Sequence, residues 1–315
     1  MTLVDNQDSG DNWTNYLGDC VSVARALPDA SVGFGVYSPP FANLYTYSDS
    51  MLDMGNCAND AEFFDHYRWL IAEQFRILKP GRLVAVHCKD LVQYKSSSGM
   101  AGLRDFSGEI IREHQAAGFA FHSRVTIWKC PVTEMQRTKA HGLLWKQLRR
   151  DSTFSRHGLA DYVLLFRKWA KEGEPVEPVT HTMDSFPVDQ WQKWASPVWS
   201  SDAKPGDAPT GLEALPIWMD IDQTDVLNVA AARVDKDEKH LCPLQLDLIE
   251  RCIVLWSNPG DVVWSPFSGI GSEGYKALQL GRKFVGSELK ESYWRQACAN
   301  LRRAVSDATA QRSLF

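Results

Sequence analysis

The sequence lacks the paired cysteines and histidines that mark disulfide frameworks and structural metal sites. Its seven cysteines are spread along 315 residues without a C-x-x-C pair, and its eight histidines show no H-E-x-x-H spacing. An odd number of widely separated cysteines argues against a disulfide-stapled secreted domain. We therefore expect free thiols in a reducing, cytoplasmic setting and no bound metal. The cysteines are Cys20, Cys57, Cys88, Cys130, Cys242, Cys252 and Cys298.

Long apolar runs and a secretory leader are also missing. No uninterrupted apolar stretch reaches the roughly 18 residues that a membrane-spanning helix needs, so no membrane partner is expected. Residues 1–12 are polar and acidic, and we expect a flexible tail there rather than a signal peptide. The composition, 44% hydrophobic and 23% charged, is that of a soluble globular protein.

Strand-like and helix-like segments alternate along most of the chain. β-branched or aromatic runs occur at 32–37, 82–88, 123–129, 161–167, 261–267 and 283–288. Helical periodicity occurs at 62–78, 105–117, 243–256, 272–280 and 290–305. This alternation predicts an α/β fold with a doubly wound, mostly parallel sheet.

The alternation is interrupted once, at residues 170–237. Seven prolines and four tryptophans lie there, a composition too aromatic for a disordered linker. We interpret the segment as an ordered, irregular excursion. Recognition of a target sequence, support of a homodimer and simple cover for the sheet all remain open for it. The other predicted units are a first half at 13–169 with a basic insertion at 133–157, a second half at 238–305, and a tail at 306–315.

A pair of prolines follows the first strand-like run, in the motif Ser38-Pro39-Pro40-Phe41. Two prolines fix the backbone and supply no N–H donors, so the carbonyls there need partners outside the local backbone. The hydroxyl of Ser38 and the carbonyl of Pro39 can accept hydrogen bonds from an amino group. Phe41 offers a ring on which a flat base can stack. A rigid turn without function is the alternative.

A glycine loop farther along the chain predicts a nucleoside site. Residues 261–272 have the pattern of a strand, a tight loop and the start of a helix. Gly269 and Gly271 can adopt positive φ and let a ligand approach the backbone. The next strand-like run ends at Glu288, where a carboxylate is placed to accept hydrogen bonds from both hydroxyls of a ribose. An ordinary βα turn is the alternative, and the absence of G-x-x-x-x-G-K-[ST] argues against a nucleoside triphosphate.

These residues together resemble the β-type DNA amino-methyltransferases. The catalytic motif of that family, D/N/S-P-P-Y/F, is matched by Ser38-Pro39-Pro40-Phe41, and its cofactor loop, D-P-F-x-G-x-G-T-T, by residues 265–273. Gly18-Asp19-Cys20 and Lys239-His240, followed by Pro243-Leu244-Gln245, resemble two further family segments. The catalytic motif precedes the cofactor loop, which is the circularly permuted order of the family.

The resemblance implies a Rossmann-like, S-adenosylmethionine-dependent methyltransferase that acts on a flipped base in double-stranded DNA. Serine at the first motif position favours cytosine N4 over adenine N6, for which aspartate is usual. RNA or protein-glutamine methylation and a catalytically silent DNA-binding protein are the alternatives. Ser265 and Glu273 depart from the family, which usually has aspartate and threonine there. The implied cofactor-binding residues are Asp19, Lys239, His240, Phe267, Gly269, Gly271, Ser272 and Glu288.

The net charge of −5 gives no overall attraction for DNA, so local basic clusters decide where a duplex binds. Residues 133–157 combine six basic side chains with two acidic ones, which predicts a phosphate-binding surface; a solvated helix face is the alternative. Tyr45 and Tyr47 are expected either to fold over the flipped base or to cap the sheet edge. The predicted basic DNA contacts are Arg137, Lys139, Lys146, Arg149, Arg150 and Arg156.

Overall fold

One mixed sheet organises the fold. The computed structural model describes residues 4–41, 50–130, 132, 134–135, 145–154, 156–195, 198–199, 217–218, 221–228 and 243–312. Ten strands in these ranges form the sheet, and two short strands, β5 and β6, form a separate hairpin. In chain order the strands are β1 Val4–Gly10, β2 Trp13–Gly18, β3 Val32–Tyr37, β4 Leu78–Cys88, β5 Leu91–Gln93, β6 Gly102–Arg104, β7 Ala120–Ile127, β8 Asp161–Arg167, β9 Val198–Trp199, β10 Ile217–Trp218, β11 Val262–Ser265 and β12 Lys283–Glu288.

The order of the strands creates a topological switch point at the centre of the sheet, between β3 and β11, where successive strands are added in opposite directions. The order is β1-β2-β12-β11-β3-β4-β8-β7-β10-β9. Neighbouring strands from β2 to β4 run parallel, whereas β8 is antiparallel to both β4 and β7. The chain leaves β3 toward β4 on one side and leaves β11 toward β12 on the other. In open α/β sheets, ligands bind outside the carboxyl ends of the strands at such a point.

Helices cover both faces of this sheet. The helices of the described ranges are α1 Cys20–Ala26, α2 Asp60–Ile77, α3 Lys95–Ser98, α4 Phe106–Ala116, α5 Trp145–Leu148, α6 Val188–Ala195, α7 Leu246–Trp256, α8 Ser272–Gln279 and α9 Glu291–Arg312. Helices α1, α2 and α4 contribute to one core, which contains Phe63, Leu70 and Ile110. Helices α7 to α9 contribute to a second core, which contains Ile249 and Leu301. The predicted α/β class with a doubly wound, mostly parallel sheet is confirmed.

Side-chain caps fix where the helices near the sheet edge begin. The Asp19 carboxylate accepts a hydrogen bond from the backbone N–H of Ser22 at 2.8 Å and caps α1. At α2, the Asn59 side chain accepts from the backbone of Glu62 at 3.0 Å, and the Glu62 carboxylate accepts from the backbone of Ala58 at 2.7 Å. The first bond satisfies one of the N–H groups that a helix start leaves unpaired, and the second ties the residue before the N-cap to the first turn.

Both ends of the described chain are more regular than expected. The expectation of a flexible tail at 1–12 is wrong for residues 4–10, which form β1 and pair antiparallel with β2 at the edge of the sheet. The side chains of β1 are mostly exposed and polar, so no apolar alternation marked the strand. At the other end, α9 runs to Arg312 and takes in much of the tail expected at 306–315, because no glycine or proline interrupts it.

The bounds of two strands differ from those expected from the sequence. Strand β4 begins at Leu78, four residues before the strand-like run at 82–88. Strand β7 ends at Ile127 instead of continuing to residue 129. Lys129 therefore lies in the segment that follows β7, where its side chain can turn toward the sheet edge.

The described parts of the 170–237 excursion pack against the sheet. Strands β9 and β10 extend it beyond β7. The ring of Trp194 lies 5.3 Å from that of Phe186, and Ile221 and Leu227 are buried in the same core as α7 to α9. These buried side chains cover part of the sheet, whereas Val176, Met183 and Trp191 of the same segment are exposed.

Membrane-spanning helices and clustered metal ligands are both missing from the described ranges. None of the helices there is both long enough and apolar enough to cross a membrane. Across the same part of the chain, no group of three or more histidine, cysteine, aspartate or glutamate side chains is arranged to hold a metal ion.

Candidate functional site

A cavity of about 680 Å³ lies at the carboxyl edge of the parallel strands. Five neighbouring strands contribute to its wall, through Asp19 after β2, Ser38 after β3, His87 in β4, Phe267 after β11 and Glu288 in β12. Parallel strands place their carboxyl ends along one edge, which brings together residues that are far apart in sequence. The cavity therefore spans the switch point between β3 and β11.

The loop from β11 to α8 forms one wall of this cavity. Gly269 and Gly271 have φ of +51° and +84°, a left-handed conformation that favours glycine. A Cβ added at Gly271 would lie 3.1 Å from the Cα of Ala297, so this glycine lets α9 pack closely on the loop. A Cβ added at Gly269 would meet no atom within 4 Å. Gly269 lines the cavity, and Gly271 is not among its lining residues.

Glu288 ties this loop to the end of β12. One of its carboxylate oxygens accepts a hydrogen bond from the backbone N–H of Gly269 at 2.9 Å, and the other accepts from the backbone of Lys290 at 2.8 Å. Burial raises the pKa of Glu288 to about 7, although these two backbone donors favour the charged form. Each oxygen keeps lone-pair capacity for a further donor from a ligand.

Glu273, in the first turn of α8, is a second buried carboxyl group on the same wall. Burial raises its pKa to about 8, and the negative charge of Glu288 acts in the same direction. Two buried carboxyl groups that both resist ionisation favour a ligand that brings positive charge, because such a ligand stabilises their charged forms. In the sequence, Glu273 stands out only as a departure from the family pattern.

The other predicted cofactor residues fall into three groups. Phe267 and Ser272 line the cavity beside the glycine loop; Pro243–Gln245, which the sequence marked only as part of a family-like segment, also line it, ahead of α7. Asp19 also lines the cavity while one of its carboxylate oxygens caps α1. Lys239 and His240 lie outside the described residues.

The Ser-Pro-Pro-Phe motif forms the opposite wall, directly after β3. The buried hydroxyl of Tyr37 lies 2.7 Å from that of Tyr67 and 3.1 Å from the side-chain oxygen of Gln74, which anchors the end of the strand. All four residues, 38–41, line the cavity. The ring of Phe41 packs edge-on against Phe106, with 6.1 Å between ring centres.

A buried polar chain leads away from this motif. The hydroxyl oxygen of Ser38 lies 3.2 Å from Nδ1 of His87, and Nε2 of His87 lies 3.1 Å from a carboxylate oxygen of Asp161. The ammonium group of Lys129 lies 2.6 Å from the same oxygen. Burial opposes ionisation of Asp161, but the hydrogen bond and charge of His87 and the charge of Lys129 hold its pKa well below its usual range.

His87, Asp161 and Lys129 were not predicted as site residues from the sequence. His87 could have been noticed as a polar residue near the end of an otherwise apolar strand. Asp161 could have been noticed as the first residue of the strand-like run at 161–167. The pairing of β4 with β8 was not predictable from local patterns. That antiparallel register places Cys88 opposite Tyr162 and brings the two polar side chains to one edge.

The predicted DNA-binding residues are only partly described. Lys146, Arg149 and Arg150 are exposed or partly exposed in and just after α5. Arg156 is partly buried, and its guanidinium group donates a hydrogen bond to the carbonyl of Gly102 at 2.6 Å, which leaves fewer donors for a phosphate. Tyr45, Tyr47, Arg137 and Lys139 lie outside the described residues.

A comparison with protein-family models matches most of the chain. The N6_N4_Mtase model, described as DNA methylase, covers residues 34–299. The matched range begins in β3 and ends in α9, so it contains the Ser-Pro-Pro-Phe motif, the buried polar chain, the glycine loop and Glu288.

Curated relatives resemble the chain at low identity. The type II methyltransferase M.BamHI of Bacillus amyloliquefaciens is 23% identical over 280 residues, which are 87% of this chain and 54% of that protein. The chain thus spans about half the length of this relative.

Two solved structures share the architecture. The PvuII DNA methyltransferase (cytosine-N4-specific) aligns with a TM-score of 0.62 and 16% identity over 98% of this chain and 95% of that one. A putative DNA modification methylase from Thermus thermophilus, complexed with S-adenosyl-L-methionine, aligns with a TM-score of 0.61 and 21% identity over 93% and 94%. At these identities the similarity establishes a common fold.

Proposed function

Because the chain belongs to the DNA methylase family whose model spans residues 34–299, we propose that it methylates an exocyclic amino group of a base in double-stranded DNA, with S-adenosylmethionine as donor. One observation carries the proposal. The Ser-Pro-Pro-Phe motif and the glycine loop with Glu288 line the same cavity, from opposite sides of the switch point. An acceptor site and a donor site in one cavity are what direct methyl transfer requires.

The cofactor side of the cavity fits S-adenosylmethionine. When bound, this donor supplies a methyl group activated by a positively charged sulfur. Glu288 is placed to accept hydrogen bonds from ribose hydroxyls, and the buried carboxyl groups of Glu273 and Glu288 favour a cationic ligand. The open space above Gly269 lets the donor approach the backbone at the start of α8.

The acceptor side is suited to an amino group attached to a ring. The nitrogen of such a group is a weak nucleophile because its lone pair is delocalised into the ring. The Ser38 hydroxyl and the Pro39 carbonyl would accept hydrogen bonds from its two hydrogens, which favours a pyramidal nitrogen with a more available lone pair. Most of the rate gain then comes from positioning, since the donor is already activated.

Cytosine N4 is the proposed target atom, ahead of adenine N6. The proposal rests on Ser38, because the first motif position is usually aspartate in adenine-specific members of the family. The decisive experiment incubates the protein with labelled S-adenosylmethionine and mixed-sequence duplex DNA, digests the DNA and identifies the methylated nucleoside by mass spectrometry. N4-methylcytosine is the expected product. N6-methyladenine would show that the target base is adenine and not cytosine. DNA without label would contradict the proposed function.

Replacing Phe41 tests the wall formed by residues 38–41, where the base is proposed to bind, separately from the wall formed by the glycine loop and Glu288, where S-adenosylmethionine is proposed to bind. Phe41→Ala should lower kcat/KM for methyl transfer by roughly 5- to 150-fold, which corresponds to the loss of about 1–3 kcal/mol of base stacking. The dissociation constant for S-adenosylmethionine, measured by calorimetry, should stay unchanged. Phe121→Ala on β7 is the matched control, because Phe121 is partly exposed and does not line the cavity. An equal weakening of donor binding by Phe41→Ala would contradict the assignment.

A further inference from the structure

We propose that His87, oriented by Asp161, holds the Ser38 hydroxyl as a hydrogen-bond acceptor and receives the proton that the amino group loses on methylation. The inference rests on the proposed function and extends it to the path of the leaving proton. In these roles His87 and Asp161 are positioning residues that act through Ser38. The observation that carries the inference is the continuous contact from Ser38 through His87 to Asp161.

The partners of the imidazole determine which of its nitrogens carries hydrogen. A neutral histidine has one N–H group, and an ionised carboxylate can only accept hydrogen bonds. Asp161 is almost fully buried, and the Lys129 ammonium group, 2.6 Å from its carboxylate, favours the ionised form of Asp161 also when His87 is neutral. The hydrogen therefore lies on Nε2 of His87, 3.1 Å from Asp161, and Nδ1 is left as an acceptor.

This tautomer fixes the direction of the Ser38 hydroxyl. With Nδ1 lacking a hydrogen, the contact of 3.2 Å is one in which the Ser38 O–H group donates to His87. The remaining lone pairs of the Ser38 oxygen then face other partners, and the residue lines the cavity. Ser38 is thereby prepared to accept a hydrogen from an amino group instead of donating one to it.

The same contacts provide an outlet for a proton. Transfer of the methyl group forms a bond from the amino nitrogen to carbon, breaks the carbon–sulfur bond of the donor and leaves the positive charge on the nitrogen. That nitrogen then releases one proton to the Ser38 oxygen while the hydroxyl proton of Ser38 moves to Nδ1 of His87. The charge ends on the imidazolium, which the Asp161 carboxylate stabilises, and the base is neutral again.

The other charged groups near this path have their own hydrogen-bond or ion-pair partners. Lys89 contacts the carboxylate of Glu134 at 3.1 Å, and the Asp90 carboxylate accepts a hydrogen bond from the backbone of Ser107 at 3.1 Å. Lys129, in the segment after β7, faces Asp161. Within the part of the chain that the structure describes, Asp161 is the carboxylate that contacts the His87 ring.

The first arm of the test measures the pH dependence of methyl transfer in single turnovers, with S-adenosylmethionine kept saturating at every pH so that donor binding does not contribute to the profile. In the wild type, the rate should fall toward acid pH, because a His87 that is already protonated cannot receive the proton. His87→Gln and Asp161→Asn should lower the rate by about 10²-fold or more, with an unchanged dissociation constant for S-adenosylmethionine. His87→Gln should also remove the acid limb. His122→Gln, on β7 and away from the lining residues, is the control.

The second arm does not depend on activity. Nitrogen-15 NMR of the full chain with labelled histidine, with His87 assigned from the missing signal in His87→Gln, should show hydrogen on Nε2 and none on Nδ1. In Asp161→Asn the neutral amide side chain removes the charge that selects this tautomer, so the signal should change. Hydrogen on Nδ1 in the wild type would overturn the inference whatever the enzyme's activity.

The two arms separate this inference from the proposed function. A wild-type chain that methylates no DNA contradicts the proposed function, while the NMR result still decides the orientation of His87. An active wild type whose acid limb persists in His87→Gln overturns the proton path and leaves the methyltransferase assignment intact. Denaturant unfolding of each variant distinguishes lost folding from lost chemistry.

Discussion

Burial opposes the ionisation of three carboxyl groups around the cavity, and the neighbours of each group decide whether it is ionised. Glu273 and Glu288 have raised pKa values because burial dominates their surroundings, whereas His87 and Lys129 keep Asp161 ionised in spite of burial. The wall with Glu273 and Glu288 thus carries little charge in acid solution, whereas an ionised Asp161, paired with Lys129, lies behind the wall with Ser38.

This contrast predicts how the affinity for S-adenosylmethionine depends on pH. A cationic donor stabilises ionised carboxylates, so its affinity should rise through the range around pH 7 to 8 in which Glu288 and Glu273 release their protons. Glu273→Gln should weaken binding at the alkaline end several-fold and flatten the rise when measured by calorimetry. Glu172→Gln, at an exposed position, is the control. A slope that Glu273→Gln leaves unchanged would contradict a role for Glu273 in donor binding.

The stability of the free protein should show the opposite trend. Because the folded-state pKa values of Glu273 and Glu288 lie above the ordinary value of 4.5, the folded state binds more protons between about pH 4.5 and pH 8. Their contribution to stability is therefore complete at the acid end and is lost as the pH rises through about 7 and 8. The free energy of unfolding, measured by urea titration at a series of pH values, should fall by at most about 1.4 kcal/mol per pH unit for each proton released.

At the scale of elements, a buried ion pair joins β4 to the start of β11 across β3. The Arg82 guanidinium group lies 3.0 Å from the Asp261 carboxylate, and both side chains are almost completely buried. Gly33 in β3 leaves room for the pair, since a Cβ there would lie 2.5 Å from Cγ of Asp261. Strands from the two halves of the chain are thus joined through charge as well as through backbone hydrogen bonds.

Removing one partner of this pair should be costly. Asp261→Asn should lower the free energy of unfolding by about 3–5 kcal/mol, because the exposed Glu177 carboxylate, 3.4 Å from the Arg82 guanidinium group, compensates the buried charge only in part. Urea titration followed by circular dichroism measures the change. Asp65→Asn is the matched control, since the Asp65–Arg68 pair is more than half exposed and should contribute about 1 kcal/mol or less. Similar small effects from both substitutions would show that Glu177 alone compensates the buried charge of Arg82.

The elements that could be predicted are those whose apolar pattern or motif lies within one short stretch of sequence. The fold class followed from the alternation of apolar runs, and the Ser-Pro-Pro-Phe motif and the glycine loop each lie within a few residues. Strand β1 was missed because its side chains face solvent and its stability comes from pairing with β2. His87 and Asp161 were missed because their meeting depends on the β4–β8 register, which only tertiary packing decides.

At the scale of the whole molecule, an acidic protein must present a local basic surface to hold a duplex. Arg149 and Arg150 are exposed just after α5, inside the predicted basic insertion. Phosphate contacts release counterions, so their number determines how steeply affinity depends on salt. The overall charge of −5 makes this local cluster more important, because a net negative charge repels DNA.

Salt titration tests this surface. The double variant Arg149→Gln/Arg150→Gln should weaken duplex binding and reduce the slope of log affinity against log salt by up to about 2, roughly 1 for each phosphate that is no longer neutralised. Arg295→Gln/Arg303→Gln changes the net charge equally on α9, outside residues 133–157, and should leave the slope almost unchanged. Equal slopes for the two double variants would place the duplex elsewhere.

The pairing of β3 with β11 also has a consequence for how the protein folds. Phe34 lies opposite Val263, and Gly35 opposite Trp264, so the centre of the sheet closes only after nearly the whole chain is available. During synthesis, the fully buried strand β3 has one edge without its partner until the residues of β11 have emerged. Contacts of such long sequence separation slow folding and expose apolar strand edges to aggregation. The switch point that brings the two walls of the cavity together therefore also makes late closure of the sheet the vulnerable step in its biogenesis.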